Sequence, residues 1–150
     1  MELRKPVKKH VYLGLDLGTV TLGFAISRSG IIASGYEEFR FPDRQWQIAL
    51  QEVERVVKLE GADIIVLGLP LNMNGSESEM SQNARKFGKA IKDIFPKVKV
   101  YLQDERLSSV ESNSYLIEGG VSRKHRKKVV DKLAAEIILT RYLESKENNH

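Results

Sequence analysis

The stretch "VYLGLDLGTVTLGFAIS", residues 11–27, places a single acid, Asp16, among apolar residues and glycines. Successive side chains of a strand alternate between faces, so Val11, Leu13, Leu15 and Leu17 point one way while Tyr12, Gly14, Asp16 and Gly18 point the other. The segment reads as two strands, 11–17 and 21–28, joined by the turn Gly18-Thr19-Val20. Asp16 thus shares a face with glycines, whose missing side chains let a phosphate or a metal ion come close to the backbone. The plainer role for such an acid is a hydrogen bond to the following turn, where Thr19 and Thr21 would contribute.

A third strand is expected from Ile31 to Arg40, completing an antiparallel meander. Asp43 is placed to cap a helix that runs to Glu60, with Trp46, Ile48, Ala49, Val53, Val56 and Val57 near helical spacing and Gly61 ending it. "ADIIVLGLP" is a continuous apolar strand of the kind buried on both faces in a parallel sheet. A polar loop, "LNMNGSES", leads to a helix near 78–94, and Pro96 precedes the strand "KVKVYLQ". A short helix is expected from Ser108 to Gly119-Gly120, and a final one from about Lys127 to Ser145. The order βββαβαβα predicts an α/β fold: a mixed five-stranded sheet, three antiparallel strands then two parallel, flanked by helices. That is the layout of a ribonuclease-H-like (RNase-H-like) domain.

At 150 residues the chain suits one domain, 1–150, able to bury roughly 70% of its unfolded surface, with a mobile basic leader (1–9) and tail (146–150). No apolar run approaches the roughly 20 residues that span a bilayer, and the N-terminus lacks a signal-type apolar run, so a cytoplasmic address is expected. Cysteine is absent, which excludes disulfides, thiolate zinc sites and cysteine nucleophiles. The net charge of +4 is unevenly spread: "SRKHRKKVVDK", 122–132, carries six Lys or Arg against one Asp. That run reads as a phosphate-binding surface or, more simply, as a solvated loop and helix start.

Other acids stand where a cleft would form. "DER" puts Asp104 and Glu105 at the C-terminal end of the strand "KVKVYLQ", the end at which open sheets build sites. Alternation allows only one of the two to share a cleft with Asp16 and does not say which, although Glu105 falls in register with Tyr101 and Gln103, a pattern like that around Asp16. Glu111 follows Ser108 by the spacing of a capping box and is assigned to structure. Asp131 is followed at three, four and seven positions by Ala134, Ala135 and Ile138, which sets it on or beside the core-facing stripe of the last helix. Carboxylates gathered in one cleft repel one another unless a cation neutralises them, and with oxygen ligands alone Mg2+ or Mn2+ suits such a site.

The segments "LGLDLGTVTLGFAIS", "IVLGLPLNMNGSES", "DERLSSVE" and "SRKHRKKVVDKLAAEIIL", in this order and over nearly the whole chain, resemble the YqgF family, also called RuvX or the Holliday junction resolvase family. The resemblance implies an RNase-H-like fold and a metal-dependent nuclease that processes pre-16S ribosomal RNA or resolves DNA junctions, as a monomer or a homodimer. It implies acidic catalytic positions at Asp16, the Asp104-Glu105 pair and Asp131, with Asp16, Glu105 and Asp131 as metal ligands. Around that site Asn72 and Asn74 precede a helix whose N-H groups suit a phosphate, with Ser76 and Glu79 spaced as a capping box. Arg106, Arg123, Lys124, Arg126, Lys127 and Lys128 are placed to neutralise a nucleic-acid backbone, and Arg85 is a weaker candidate. His10, His125 and His150 show no ligand spacing and are expected to face solvent, while Trp46 is expected in the core. Two rivals are an ATP-binding domain, since "LDLGTVTLGFA" is similar to the first phosphate-binding hairpin of the actin, Hsp70 and sugar-kinase group, and a non-catalytic RNA-binding module.

Overall fold

A computed structural model describes residues 9–106 and 123–148, with side chains of the last helix described from 133 to 146. The elements follow the expected order: β1 (Tyr12–Leu17), β2 (Thr21–Ser27), β3 (Ser34–Arg40), α1 (Trp46–Glu60), β4 (Ile64–Leu69), α2 (Glu79–Ile94), β5 (Lys99–Asp104) and α3 (Arg123–Asn148). They form one sheet in the order β3-β2-β1-β4-β5, antiparallel on the β3 side of β1 and parallel on the other. The short helix expected after Ser108 lies outside the described residues. Among the described residues no helix is long and apolar enough to cross a membrane.

The alternation of β1 separates two cores. Leu13, Leu15 and Leu17 join Phe24, Ile65 and Leu67 beneath the apolar faces of α1 and α2. Tyr12, Ala25 and Val66 lie on the opposite face, packed with Ala135, Ile138, Leu139 and Leu143 of α3. β4 is buried along its whole length because both layers cover it, as its unbroken apolar run requires.

Helix α3 begins at Arg123, four residues before the Lys127 expected, and three further features differ for local reasons. Strand β3 starts at Ser34 rather than Ile31, because the Ser29 hydroxyl accepts from the N-H groups of Ile31 and Ile32 and holds them in the preceding turn. Helix α1 starts at Trp46 without a side-chain cap, since Asp43 turns to Arg44 and the Arg44 N-H bonds the Thr19 carbonyl. Helix α2 is capped not by Ser76 with Glu79 but by Ser78, whose hydroxyl accepts from the Ser81 N-H while Ser81 accepts from the Ser78 N-H. His10, expected to face solvent, is partly exposed and pairs its Nδ1 with Asp63 Oδ2 at 2.5 Å.

β3 also turns Glu37 toward α1, where Arg55 Nη2 donates to its Oε1 at 3.1 Å and its carboxyl shares a hydrogen bond with Glu52. Burial first, then the Glu52 carboxylate, push Glu37 from its ordinary value near 4.5 up to about 7, while the Arg55 hydrogen bond holds Glu52 low. A carboxyl raised by folding contributes stability that is full below its unfolded value and is lost as pH rises through the folded one, here between about 4.5 and 7. Glu37→Gln is therefore expected to raise the melting temperature at pH 8 and to change it little at pH 4. Equal shifts at both pH values, read by thermal denaturation, would count against this account.

Candidate active site

The C-terminal end of β1 is braced from its far side. The Gly18 N-H bonds the Thr21 carbonyl at 2.8 Å and the Gly18 carbonyl accepts from Trp46 Nε1 at 3.0 Å, so the half-buried Trp46 steadies the turn that follows Asp16 rather than offering a stacking face. Asp16 points to the α3 side of the sheet. Its antiparallel partner is Gly23, and one step beyond the parallel pair Leu15 with Leu67 stands Gly68. Glycine therefore flanks Asp16 on both neighbouring strands.

The space over Gly68 is filled by Glu105. A Cβ at Gly68 would fall 2.1 Å from Glu105 Oε2 and 2.6 Å from Ile138 Cδ1, so only glycine accommodates the carboxylate there. The Glu105 N-H bonds the Leu69 carbonyl at 3.2 Å, one step past the parallel pair Leu69 with Asp104, which sends the side chain back over β4 toward Asp16. Burial raises the Glu105 carboxyl first; the Asp16 carboxylate beside it, through its charge and a shared hydrogen bond, raises it further, to about 9. Two carboxyls thus meet in a place that welcomes only one negative charge.

Asp104 takes a different course. Its Oδ1 accepts from the Arg106 N-H at 3.0 Å and its Oδ2 from Arg106 Nε at 2.8 Å, and the guanidinium holds its pKa down. Arg106 also donates through Nη1 to the Met73 carbonyl at 3.1 Å. Asn72 and Asn74 lie nearby on the exposed 72–76 turn, where Asn72 Nδ2 bonds Ser76 Oγ and the Glu77 carbonyl, and Asn74 Oδ1 accepts from Ser76. Their side chains hold the loop in shape. Arg85 pairs with Glu77.

Helix α3 comes close to the sheet where Gly14 of β1 leaves room for it. A Cβ at Gly14 would stand 2.8 Å from Leu139 Cβ and 2.9 Å from the Ala135 carbonyl. Position 131 falls one turn before Ala135, further along the helix from Leu139, which is the direction in which β1 runs toward Asp16. The side chains of Asp131, Arg123, Lys124, Arg126, Lys127 and Lys128 lie outside the described residues. Among the described residues Asp16 and Glu105 gain no third acid or histidine near enough to make a metal-binding group. Glu38, aligned with Asp16 through Gly23, is a strand further away beside Arg40.

Sequence reading missed two parts of this arrangement. Gly68 was visible as the lone glycine inside the apolar run "IIVLGL", a signal of close approach. Arg141 lines a hollow of about 330 Å³ with Met73, Asp104 and Arg106, and its only sequence mark is a cation three residues after the core residue Ile138.

A family model described as RuvX, Holliday junction resolvase, matches residues 10–145. A relative from Bacillus pumilus named "Putative pre-16S rRNA nuclease" is 43% identical over 134 residues, 89% of this chain and 96% of the relative. One of the same name from Staphylococcus carnosus is 38% identical over 137 residues, 91% of this chain and 96% of the relative. The structure is similar to that of T. thermophilus RuvC in complex with a Holliday junction substrate, with TM-score 0.58 at 13% identity over 93% of this chain and 96% of the other. It is also similar to Fowlpox virus resolvase in complex with Holliday junction DNA, with TM-score 0.54 at 16% identity over 90% and 97%. The mixed sheet and its helices are thus the RNase-H-like fold of these resolvases.

Proposed function

The chain belongs to the RuvX family of Holliday junction resolvases, and on that premise we propose that it is a divalent-metal-dependent nuclease hydrolysing phosphodiester bonds, with 5′-end processing of pre-16S rRNA in the cytoplasm as its task. The observation that carries this reading is the meeting of Asp16 and Glu105 over Gly68. A buried carboxyl raised by a neighbouring carboxylate favours the arrival of a positive charge, and its oxygen donors suit Mg2+ or Mn2+. Asp16 and Glu105, with Asp131 from α3, would hold the ion. When bound, one or a pair of such ions lowers the pKa of attacking water and stabilises the entering and leaving oxygens of an in-line displacement.

The chain's own residues set the rest. Gly68 admits the Glu105 carboxylate, α3 shields the pair on one side, and Asp104 holds Arg106 toward the polymer as a positioning residue. Arg123, Lys124, Arg126, Lys127 and Lys128, at the start of α3, would meet the phosphate backbone and make binding salt-sensitive. The family model's description favours a second reading, resolution of four-way DNA junctions, for which a homodimer rather than a monomer is the natural form. Cleavage of a pre-16S rRNA fragment and of a four-way junction under the same conditions, with solution mass measured alongside, separates the two.

Metal binding has its own test, independent of cleavage. Because Glu105 must lose its proton to bind a cation, affinity for Mn2+ is expected to rise with pH. At a hundredfold excess over Kd the linked stabilisation is about 2.7 kcal/mol, which for a domain of this size is a shift of roughly 5–10 °C. The shift should be larger at pH 9 than at pH 6 and absent from Glu105→Gln. A shift that survives in Glu105→Gln would place the ion elsewhere.

A further inference from the structure

We propose that Met73 packs against an unstacked base of the nucleic-acid strand and so fixes which phosphodiester lies before the Asp16 and Glu105 carboxylates; this rests on the nuclease reading and names a substrate-positioning residue for it. Met73 is the apolar member of the polar loop "NMNGSES", 72–78, between β4 and α2, and it is 66% exposed. Single exposed apolar residues are common and by themselves call for no partner. Met73 differs in where it stands and in how firmly it is held there. It lines the hollow of about 330 Å³ at the C-terminal edge of β5, together with Asp104, Arg106 and Arg141. That volume lies at the lower end of the roughly 300–1,000 Å³ of small-ligand sites.

The loop that carries it is locked from both ends. The Asn72 N-H bonds the Ser76 carbonyl at 2.9 Å and the Gly75 N-H bonds the Asn72 carbonyl at 2.8 Å, across a turn that Gly75 permits through its φ of +87°. Asn72 and Asn74 turn their side chains inward to Ser76 and the Glu77 carbonyl, and the Ser78 hydroxyl ties the end of the loop to the Pro70 carbonyl. Arg106 then fastens the loop to the segment that carries Glu105. Its Nη1 donates to the Met73 carbonyl at 3.1 Å, and it follows Glu105 directly in the chain. All of these bonds are made by backbone groups or by other side chains, so the shape of the loop does not depend on the thioether. The arrangement presents a polarisable apolar group on a rigid support beside a candidate catalytic carboxylate. Methionine sulfur packs favourably on aromatic rings, and methionine is among the apolar side chains that enter between base steps. Every base offers such a face, so the contact would hold the register of the strand without reading its sequence, and a loop already ordered loses little freedom on binding.

The test measures binding of a short labelled single-stranded RNA to the full chain in EDTA, where no cleavage takes place, by fluorescence anisotropy over a range of salt concentrations. A strand of the same length built of stable abasic nucleotides is measured beside it. Met73→Gln keeps the length of the side chain and makes it polar. It is expected to weaken binding to the intact strand roughly three- to tenfold, with the slope of log K against log salt unchanged because no phosphate contact is lost. Met73→Leu should bind within about twofold of the parent, since it keeps the apolar volume. On the abasic strand Met73→Gln and the parent should bind alike, because the group that Met73 touches is gone. The melting temperature should stay at the parent's value, as for other exposed positions. Parental affinity of Met73→Gln for the intact strand would overturn the inference, and so would a parent chain that does not bind that strand. An equal loss on both strands, or a loss accompanied by a lower melting temperature, would overturn it too, by making Met73 a prop for the loop. Failure of the nuclease reading shows separately, as absence of metal-dependent cleavage by the parent chain.

Discussion

Asp16→Asn is expected to abolish cleavage while leaving nucleic-acid binding largely intact. Asparagine preserves the size of the side chain and removes the charge on which a cation would be held. Metal stabilisation of a phosphoryl transition state is worth several kcal/mol, and at about 1.4 kcal/mol per tenfold its loss is on the order of a thousandfold or more in rate. The same substitution is expected to stabilise the metal-free protein at alkaline pH. Glu105 is raised to about 9, by burial first and by Asp16 next. Stability tied to a raised carboxyl is full below its unfolded value near 4.5 and is lost as pH rises through the folded one. Removing the Asp16 charge lowers Glu105 and lessens that loss, so Asp16→Asn should melt higher than the parent at pH 8 in EDTA. The combination of lost cleavage and gained stability is the signature of carboxylates placed together for chemistry. Unchanged cleavage by the variant would falsify the assignment of Asp16 and point to another site or to a contaminating nuclease.

Gly68→Ala is expected to cost roughly a hundredfold in cleavage without removing any charged group. The new methyl would lie 2.1 Å from Glu105 Oε2 and 2.6 Å from Ile138 Cδ1, so the carboxylate must leave its place beside Asp16. A misplacement of about 1 Å at a reacting centre costs on the order of 10²-fold. Moving Ile138 adds an overpacking cost of about 1–3 kcal/mol, which thermal denaturation reads directly. RNA binding in EDTA should be close to the parent's, since Gly68 lies beneath the carboxylates and not on the basic surface. Cleavage at the parental rate by a folded Gly68→Ala protein would show that Glu105 does not work from this position.

The roles of Asp16 and Gly68 differ in how much of each is written in the local sequence. Asp16 stood out because an acid between glycines interrupts an alternating apolar strand, a pattern contained within a few residues. Gly68 lies in an otherwise unbroken apolar run, and its purpose depends on a carboxylate thirty-seven positions later. The capping of α2 shows the same limit at shorter range. Ser76 with Glu79 and Ser78 with Ser81 are both three-residue spacings, and Ser78 prevails because its hydroxyl also reaches the Pro70 carbonyl while Ser76 is held by Asn72 and Asn74.

Alternation and helical spacing determined, from the chain alone, the order of elements and the two faces of β1, including the assignment of Asp16 to the face opposite Leu13, Leu15 and Leu17. These are periodicities of single elements, and they survive in any window that contains the element. Which of Asp104 and Glu105 meets Asp16 was decided only by the tertiary structure, through the parallel register that pairs Asp104 with Leu69 and the gap that Gly68 leaves above β4. The arrival of Arg141 beside Arg106 was decided there too, by the crossing of α3 over the sheet. Register between strands and the approach of a helix are relations between distant segments, and a strand's own period of two is compatible with either face until a neighbour fixes it.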